Sequence, residues 1–527
     1  MELTTMVQQP NGIVKNTPTE SVVVSKETRD NRGQKQIDFI LALINEFDEQ
    51  PSTKFMDVAQ RYYENDSDIR DKKRMVIGKT MENEAVLQES KILSNNKLQH
   101  NFMKKLTRQK IGYMLGRPFT LTAVKPDDTE AKDFFNEVDN YFDVAFFKMM
   151  KNIARDSIVK GIGWMMVYYN ESGYLKFRRC DPKEIIPQWA DSDHTDLESV
   201  IRRYIRKEYD GAKKTEVTYV EYWTRSGVYY YMKDNAAGIL KQDPRHKELF
   251  EPHFYIRPEN RAEGEEEVLT GMTWSDIPFI PFKYDPDEQS LLKRVKSLID
   301  DYDRRTSAVA DSIDDFPNSI TVVKNYDGAS KEEFVQNKNQ YRTIFVQGDG
   351  DASSLTTPLN IVDLDTHLER LRQDIYEFGQ GVNTADKDIR DTSGVALRFI
   401  YADLDMDCVD WGGEMKWSLF RLLQFVMADI LAVTGRDYHK VAYDIVFNTD
   451  VIINESETIL NCLNSSGLIS GKTIAANHPW VLDADKEMED LRLETEDQLE
   501  LEADYGNNPD GGSTSAKGST SRNQEIS

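Results

Sequence analysis

Between residues 361 and 382, Leu364, Leu368, Leu371, Ile375, Phe378 and Val382 recur in steps that alternate four and three without a miss. That spacing draws a narrow apolar seam along one side of an α-helix, suited to packing helix on helix. A strand cannot use it, because strand side chains change face at every residue. Another helix precedes it at residues 290–316, where Leu291, Val295, Leu298, Tyr302, Val309 and Phe316 fall at steps of three, four or seven. Pro317 ends that helix, since the residue before a proline is pushed out of helical geometry. Residues 318–360 then alternate strand-like runs, "SITVVKNY" and "YRTIFVQ", with a Gly- and Ser-rich link. Two rods separated by a small α+β insertion constrain the fold more than any other feature of the chain.

After Val382 comes "NTADKDIRDTSG", residues 383–394, a loop with five charged positions and no packing face. A third long helix follows over 395–434, through Phe399, Met406, Val409, Met415, Leu419, Leu422, Val426 and Ile430. Gly412 and Gly413 predict a kink in it, and Gly435 stands where a C-terminal cap belongs. Upstream, helices are expected from Ile37, over 98–116 with Lys104, Lys105 and Arg108 outward, and over 130–155 as one piece. From Trp164 to Tyr284, short runs rich in β-branched and aromatic residues predict antiparallel strands and hairpins. Tyr229, Tyr230 and Tyr231 read there as strand residues in preference to base-stacking ones. "VAYDIVFN" predicts one more strand, followed by a short helix and a charged helix from Asp483. Residues 1–33 lack periodicity and 506–523 lack large apolar side chains, which predicts a flexible arm and a disordered tail.

Charge narrows the function. The 527 residues carry a formal net charge of −25. Tight nucleic-acid binders present basic surfaces, because neutralising phosphates releases counterions. Such an acidic chain either avoids DNA or touches it without clamping. Cys180, Cys408 and Cys462 are far apart, which excludes a disulfide framework or zinc ribbon within the chain. The N-terminus has no signal-peptide pattern. The most apolar window, residues 422–433, contains Asp429 and is too short to span a bilayer, so no membrane segment is expected.

Chemistry-bearing patterns mostly fail on inspection. "SGLISGKT", residues 466–473, misses the phosphate-loop spacing because Gly467 lies one residue too close to Gly471. Ser470 reads instead as a helix cap. "DADKEMEDLRLE", residues 483–494, imitates a calcium loop but has Met488 where the turn demands glycine. Asp300, Asp301, Asp303, Asp311, Asp314 and Asp315 could suggest a two-metal nuclease, which needs acids converging from different elements. The plainer reading is a solvated or pore-lining helical face. No catalytic, cofactor-binding or metal-ligating residue is assigned.

Five stretches carry a resemblance: "LQHNFMKKLTRQKIGYMLGRPFTL", "CDPKEIIPQW", "IPFIPFKYDPDEQSLLKRVKSLIDDYDRRTSAVADSIDDFPNSITVVKNYDG", "DTSGVALRFIYADLDMDC" and "GLISGKTIAANHPWVLDADKEMEDL". In this order, over about residues 35–500, they resemble the portal proteins of tailed bacteriophages, siphophage branch. The resemblance implies an α+β portal fold with helical stem, small α+β clip, mixed β/helical wing and helical crown. It divides the chain into an arm at 1–33, wing at 34–289, stem helices at 290–316 and 361–382, clip at 317–360, and tunnel loop at 383–394. A long kinked helix and wing strand follow at 395–454, then the crown at 455–500 and a tail at 501–527.

The implied function is a non-enzymatic head–tail connector, a ring of typically twelve subunits at one capsid vertex, through which the genome is packaged and ejected. Double-stranded DNA would pass without sequence specificity, beside Lys387 and Arg390 among Asp386, Asp388 and Asp391. The seam residues of 361–382 would pack the stem. The clip, with Lys324, Tyr326, Lys331, Glu332 and Glu333, would meet the terminase large subunit and later the head–tail adaptor. Major capsid and scaffolding proteins are the other implied partners. Location would be the virion, and the bacterial host cytoplasm during assembly; no cofactor is implied. Two alternatives are a metal-dependent nuclease or phosphatase, and another minor capsid structural protein.

Overall fold

Asp and Ser residues set many of the helix starts, their side chains accepting backbone N–H groups that the first turn leaves unpaired. The computed structural model describes residues 26–79, 85–90, 93–125, 128–211, 213–233, 239–256, 270–315, 319–324, 330, 349–356, 361–384, 394–449, 455–481 and 484–506. In chain order the helices are α1 (Lys26–Glu49), α2 (Pro51–Tyr63), α3 (Phe102–Leu115), α4 (Thr129–Asp139) and α5 (Val144–Lys160). They continue with α6 (Leu291–Asp314), α7 (Ile361–Phe378), α8 (Gly394–Thr434), α9 (Glu455–Asn464), α10 (Gly471–Asn477) and α11 (Ala484–Gly506). The chain forms two compact units, one of Met1–Asp386 with Ile400–Asp450, the other of Lys387–Phe399 with Val451–Ser527.

The first unit is layered. Strands β1 (Met75–Lys79) and β2 (Ala85–Glu89) form an exposed hairpin, and β3 (Thr120–Ala123) pairs with β17 (Tyr443–Val446). A three-stranded antiparallel sheet joins β4 (Ile162–Tyr169) to β5 (Leu175–Cys180) and β14 (Phe279–Lys283). Along β4 the faces alternate. Ile162, Trp164 and Met166 enter one core, Met165 and Val167 the other. A strand buried on both sides reads as continuous apolar sequence, which "IGWMMVYY" does. A larger antiparallel sheet of β6 (Ile185–Trp189), β7 (Leu197–Asp210), β8 (Lys213–Thr224), β9 (Gly227–Lys233) and β10 (Leu240–Gln242), with β11 (Phe250–Glu251) also paired to β9, lies over the first face, and β12 (Phe254–Ile256) pairs with β13 (Thr270–Met272). Its far side carries α1, whose Ile40, Ile44 and Phe47 pack on Ile201, Val220 and Tyr231. The opposite face of β4 meets the helical core of α2–α6 and α8. Tyr229, Tyr230 and Tyr231 all lie in β9, with Tyr230 stacked on His246 at 3.5 Å and Tyr231 buried.

Several expectations are corrected. Residues 130–155 form two helices, because the Asp143 side chain accepts from the Phe146 amide at 2.8 Å and starts a new one. Helix α1 begins at Lys26, inside the expected arm, and α11 runs to Gly506, inside the expected tail. Helix α8 is unbroken through Gly412 and Gly413. Its N-terminal half also turns differently from the reading: Phe399, Met406 and Val409 are exposed, while Leu404, Cys408 and Trp411 are buried. From Phe399 to Thr434 this helix has the length and composition of a membrane span, which the short 422–433 window had concealed. Trp411, Met415, Leu419, Leu422, Val426 and Ile430 of this helix nevertheless fill the core, and Asp429 is held by the hydroxyls of Tyr141 at 2.7 Å and Tyr169 at 2.8 Å.

One glycine is required by the turn it makes. Gly161, at φ 91°, closes α5, and a Cβ there would stand 1.9 Å from the Glu288 carbonyl oxygen. The second unit is mostly helical among its described residues. Ser470 caps α10, its Oγ accepting from the Thr473 amide at 3.3 Å, which is the use the near-miss phosphate loop was expected to have.

Candidate functional site

Helices α6 and α7 lie antiparallel: Asp301 meets His367 at 3.2 Å near one end, and Arg294 meets Gln380 at 2.6 Å near the other. Between them in sequence, β15 (Ser319–Lys324) pairs antiparallel with β16 (Asp351–Thr356). The link "DASSLT" thus supplies the partner strand of "SITVVK". The run "YRTIFVQ" lies outside the described residues, as do Tyr326, Lys331, Glu332 and Glu333; of Lys324 only the backbone is described.

The seam of α7 differs from its reading. Leu371 and Ile375 are buried, Val382 is buried just beyond the helix, and Leu364 and Leu368 are half-buried. Phe378 is 57% exposed and leaves the seam; Tyr376 is buried in its place. A strict 3.5-residue stripe drifts around a straight helix of 3.6 residues per turn. Only a supercoiled partner along the whole length would hold the stripe in register; α7 lies along α6 and meets α3 only near its C-terminal end, at Tyr376.

Beside the end of α7, helices α3, α6 and α8 converge on a buried polar site. Asp407 of α8, 6% exposed, receives three groups. Lys110 of α3 reaches it at 2.7 Å, Arg294 of α6 at 2.9 Å, and the Tyr284 hydroxyl donates at 2.6 Å. Arg294 and Lys110 also bind Gln380, through its side chain at 2.6 Å and its carbonyl at 2.9 Å, so the fourth element is tied in through them. Burial pulls the Lys110 ammonium below its ordinary range against the opposing pull of Asp407. Burial and the Asp407 charge drive Tyr284 well up, so it stays a hydrogen-bond donor. A buried carboxylate is tolerable only when paired and hydrogen-bonded, and here the pairing draws four elements to one point.

The point lies at the root of the 383–394 loop. Gln109 of α3 grips Val382, donating to its carbonyl at 2.7 Å and accepting from its amide at 3.2 Å. Gly381 lets the chain pass so close to Leu106 that a Cβ would stand 2.3 Å from Leu106 Cδ2. Lys105 reaches the Thr384 hydroxyl at 3.4 Å. Asp386, Lys387, Asp388, Arg390 and Asp391 lie outside the described residues. No sequence signal marked Lys110 or Asp407, because a buried charge looks like a surface one until its partners are known.

The acids of α6 are a correction. Asp303 and Asp311 are buried, not solvated. Asp303 accepts from Ser67 at 2.6 Å and the His100 amide at 3.0 Å. Asp311 accepts from Lys72 at 2.5 Å and the Asn96 amide at 2.5 Å, and Asp315 from the Ser94 amide at 2.8 Å. Asp300 takes the Tyr62 hydroxyl. Asp303, Asp311 and Asp315 thus bind Ser67, Lys72, Ser94, Asn96 and His100, on either side of the β1–β2 hairpin, along the helix. Among the described residues no group of three or more His, Cys, Asp or Glu is arranged to hold a metal. The Cys180 and Cys408 thiols are pushed up to about 12 by burial, which leaves them inert as nucleophiles.

Comparison with known proteins places the chain in a family. The family profile "Phage portal protein, SPP1 Gp6-like" matches residues 43–501. The chain belongs to the phage portal protein family, SPP1 Gp6-like. It is similar to the portal protein of Bacillus phage SPP1, 28% identical over 469 residues that cover 88% of this chain and 87% of that one. It is also similar to the portal protein of Clostridium phage phiCD119, 28% identical over 451 residues covering 83% and 91%. Portal proteins are structural and non-enzymatic, so the nuclease or phosphatase alternative falls. The protein is a head–tail connector at the capsid portal vertex of the virion. Membership in the family carries an oligomeric ring and the passage of DNA.

Proposed function

We propose that α6 and α7 are the stem of this portal, residues 317–360 its clip, and residues 383–394 a tunnel loop that touches DNA in a ring of twelve subunits. The β-rich region and flanking helices are the wing, and 455–500 the crown. The observation that carries this reading is the antiparallel α6–α7 pair: its ribbon is inserted at one end, and its loop root is anchored on Asp407 and Lys110 at the other. A rod with a docking module at one end and a charged loop at the other suits a conduit. The clip, with Lys324, Tyr326, Lys331, Glu332 and Glu333, meets the terminase large subunit and later the head–tail adaptor. The outer surface meets the major capsid and scaffolding proteins.

Asp386, Lys387, Asp388, Arg390 and Asp391 give the loop mixed charge and no aromatic side chain. Each phosphate contact adds a slope of about −0.9 in log K against log salt, so few contacts mean weak and slippery binding. The test is packaging by rings carrying Lys387→Ala and Arg390→Ala. A reduced amount of retained DNA is expected, and unchanged packaging in both variants counts against the loop's role. Negative-stain images of the purified protein should show rings with a central hole.

A further inference from the structure

We propose that the outward face of α3 is a second DNA-contacting surface, in which Lys104, Lys105 and Arg108 take backbone phosphates beside the root of the 383–394 loop. This rests on the reading of that loop as channel-lining. Asn101, Lys104, Lys105, Arg108 and Gln109 line an open groove of about 420 Å³. Acids outnumber bases 91 to 66 in this chain. Yet none of the three cations makes an ion pair among the described residues. Two are instead held over aromatic rings, Lys104 at 5.6 Å from the Tyr63 centroid and Lys105 at 5.1 Å from that of Tyr376. A cation on a ring face is positioned without being neutralised, and its remaining N–H groups stay free for an anion.

Two observations favour phosphates over a neighbouring subunit. Lys104 and Arg108 are one helical turn apart, about 6 Å along the axis, so they present a row of like charge suited to successive phosphates of one strand. The face is also continuous with the loop root, since Lys105 reaches Thr384 and Gln109 grips Val382 from the same helix. The cations sit on a rigid helix whose other side is core, with Phe102, Met103, Leu106 and Met114 buried. They would therefore hold their positions.

The test uses assembled full-length rings and a blunt-ended duplex of mixed sequence, titrated at several salt concentrations. Rings with Lys104→Gln, Lys105→Gln and Arg108→Gln are compared with the charge-keeping set Lys104→Arg, Lys105→Arg and Arg108→Lys. A third set carries Lys387→Ala with Arg390→Ala. The expected result is an intact ring whose log K against log salt is shallower by at least about 0.9 in the glutamine set, the weight of one lost contact, and unaltered in the charge-keeping set. An unaltered slope in the glutamine set, with a changed one in the loop set, overturns the α3 surface and leaves the loop reading standing. A loss confined to the glutamine set keeps the surface and removes the loop from the contact. No change in either overturns both. Rings that fall apart in the glutamine set alone show a subunit contact, which also overturns the proposal.

Discussion

Lys110 and Asp407 show how much a single buried pair carries. Lys110→Met leaves Asp407 in the core with Arg294 as its remaining cation and frees the Gln380 carbonyl. Breaking a buried pair from one side costs about 3–5 kcal/mol, and the low end applies because Arg294 and Tyr284 remain. Urea unfolding of the unassembled subunit should show a loss of about 3 kcal/mol. Acid should act on the 67–100 segment first. Burial opposes the charge of Asp68, but the bonds from Lys296 and Arg61 hold its carboxyl down at about 2, below its ordinary 3.8. Burial likewise opposes Asp311, and Lys72 with the Asn96 amide brings it below the ordinary value. A carboxylate depressed in the folded state stabilises above its unfolded pKa and loses that contribution as pH falls through the folded one. The window therefore runs from about pH 4 to about 2. Asp68 is too exposed to contribute more than about 1 kcal/mol. Hydrogen exchange should show the Asn96 and Ser94 amides losing protection across that window; protection held to pH 2 would contradict it.

At the scale of elements, the α7 seam sorts its residues by what they touch. Ile375→Ala empties a fully buried site and should cost about 2–5 kcal/mol. Phe378→Ala, on the exposed side, should stay within about 0.5 kcal/mol in the unassembled subunit. Equal losses by urea unfolding would restore Phe378 to the seam. Gly381→Ala must push Leu106 aside, and overpacking of that kind costs about 1–3 kcal/mol. These residues lie close together in the chain, yet their costs differ because Ile375 is buried, Phe378 is exposed and Gly381 abuts Leu106.

For the whole molecule, charge sets the conditions of assembly. Each subunit carries −25, so copies repel as they approach. Raising ionic strength from about 0.01 M to about 0.15 M shortens the screening length from about 30 Å to about 8 Å. Light scattering at fixed subunit concentration should therefore show the ring fraction rising over that range. A falling fraction would mean that ion pairs across the interface outweigh the repulsion.

Local spacing was enough to determine the helices at 290–316 and 361–382, the strands between Trp164 and Tyr284, the cap at Ser470 and the ordered set of stretches that marks the family. Each depends on neighbours within a few turns, or on a run of residues read directly. Only the tertiary structure decided which side of a helix is inside. It turned Phe378, Met406 and Val409 outward, buried Asp303 and Asp311 against residues 67–100, and joined Lys110 to Asp407 across 297 positions of chain. A periodic pattern names a face without saying what lies against it. A charged side chain, likewise, is a surface group or a core anchor according to partners that the linear order does not reveal.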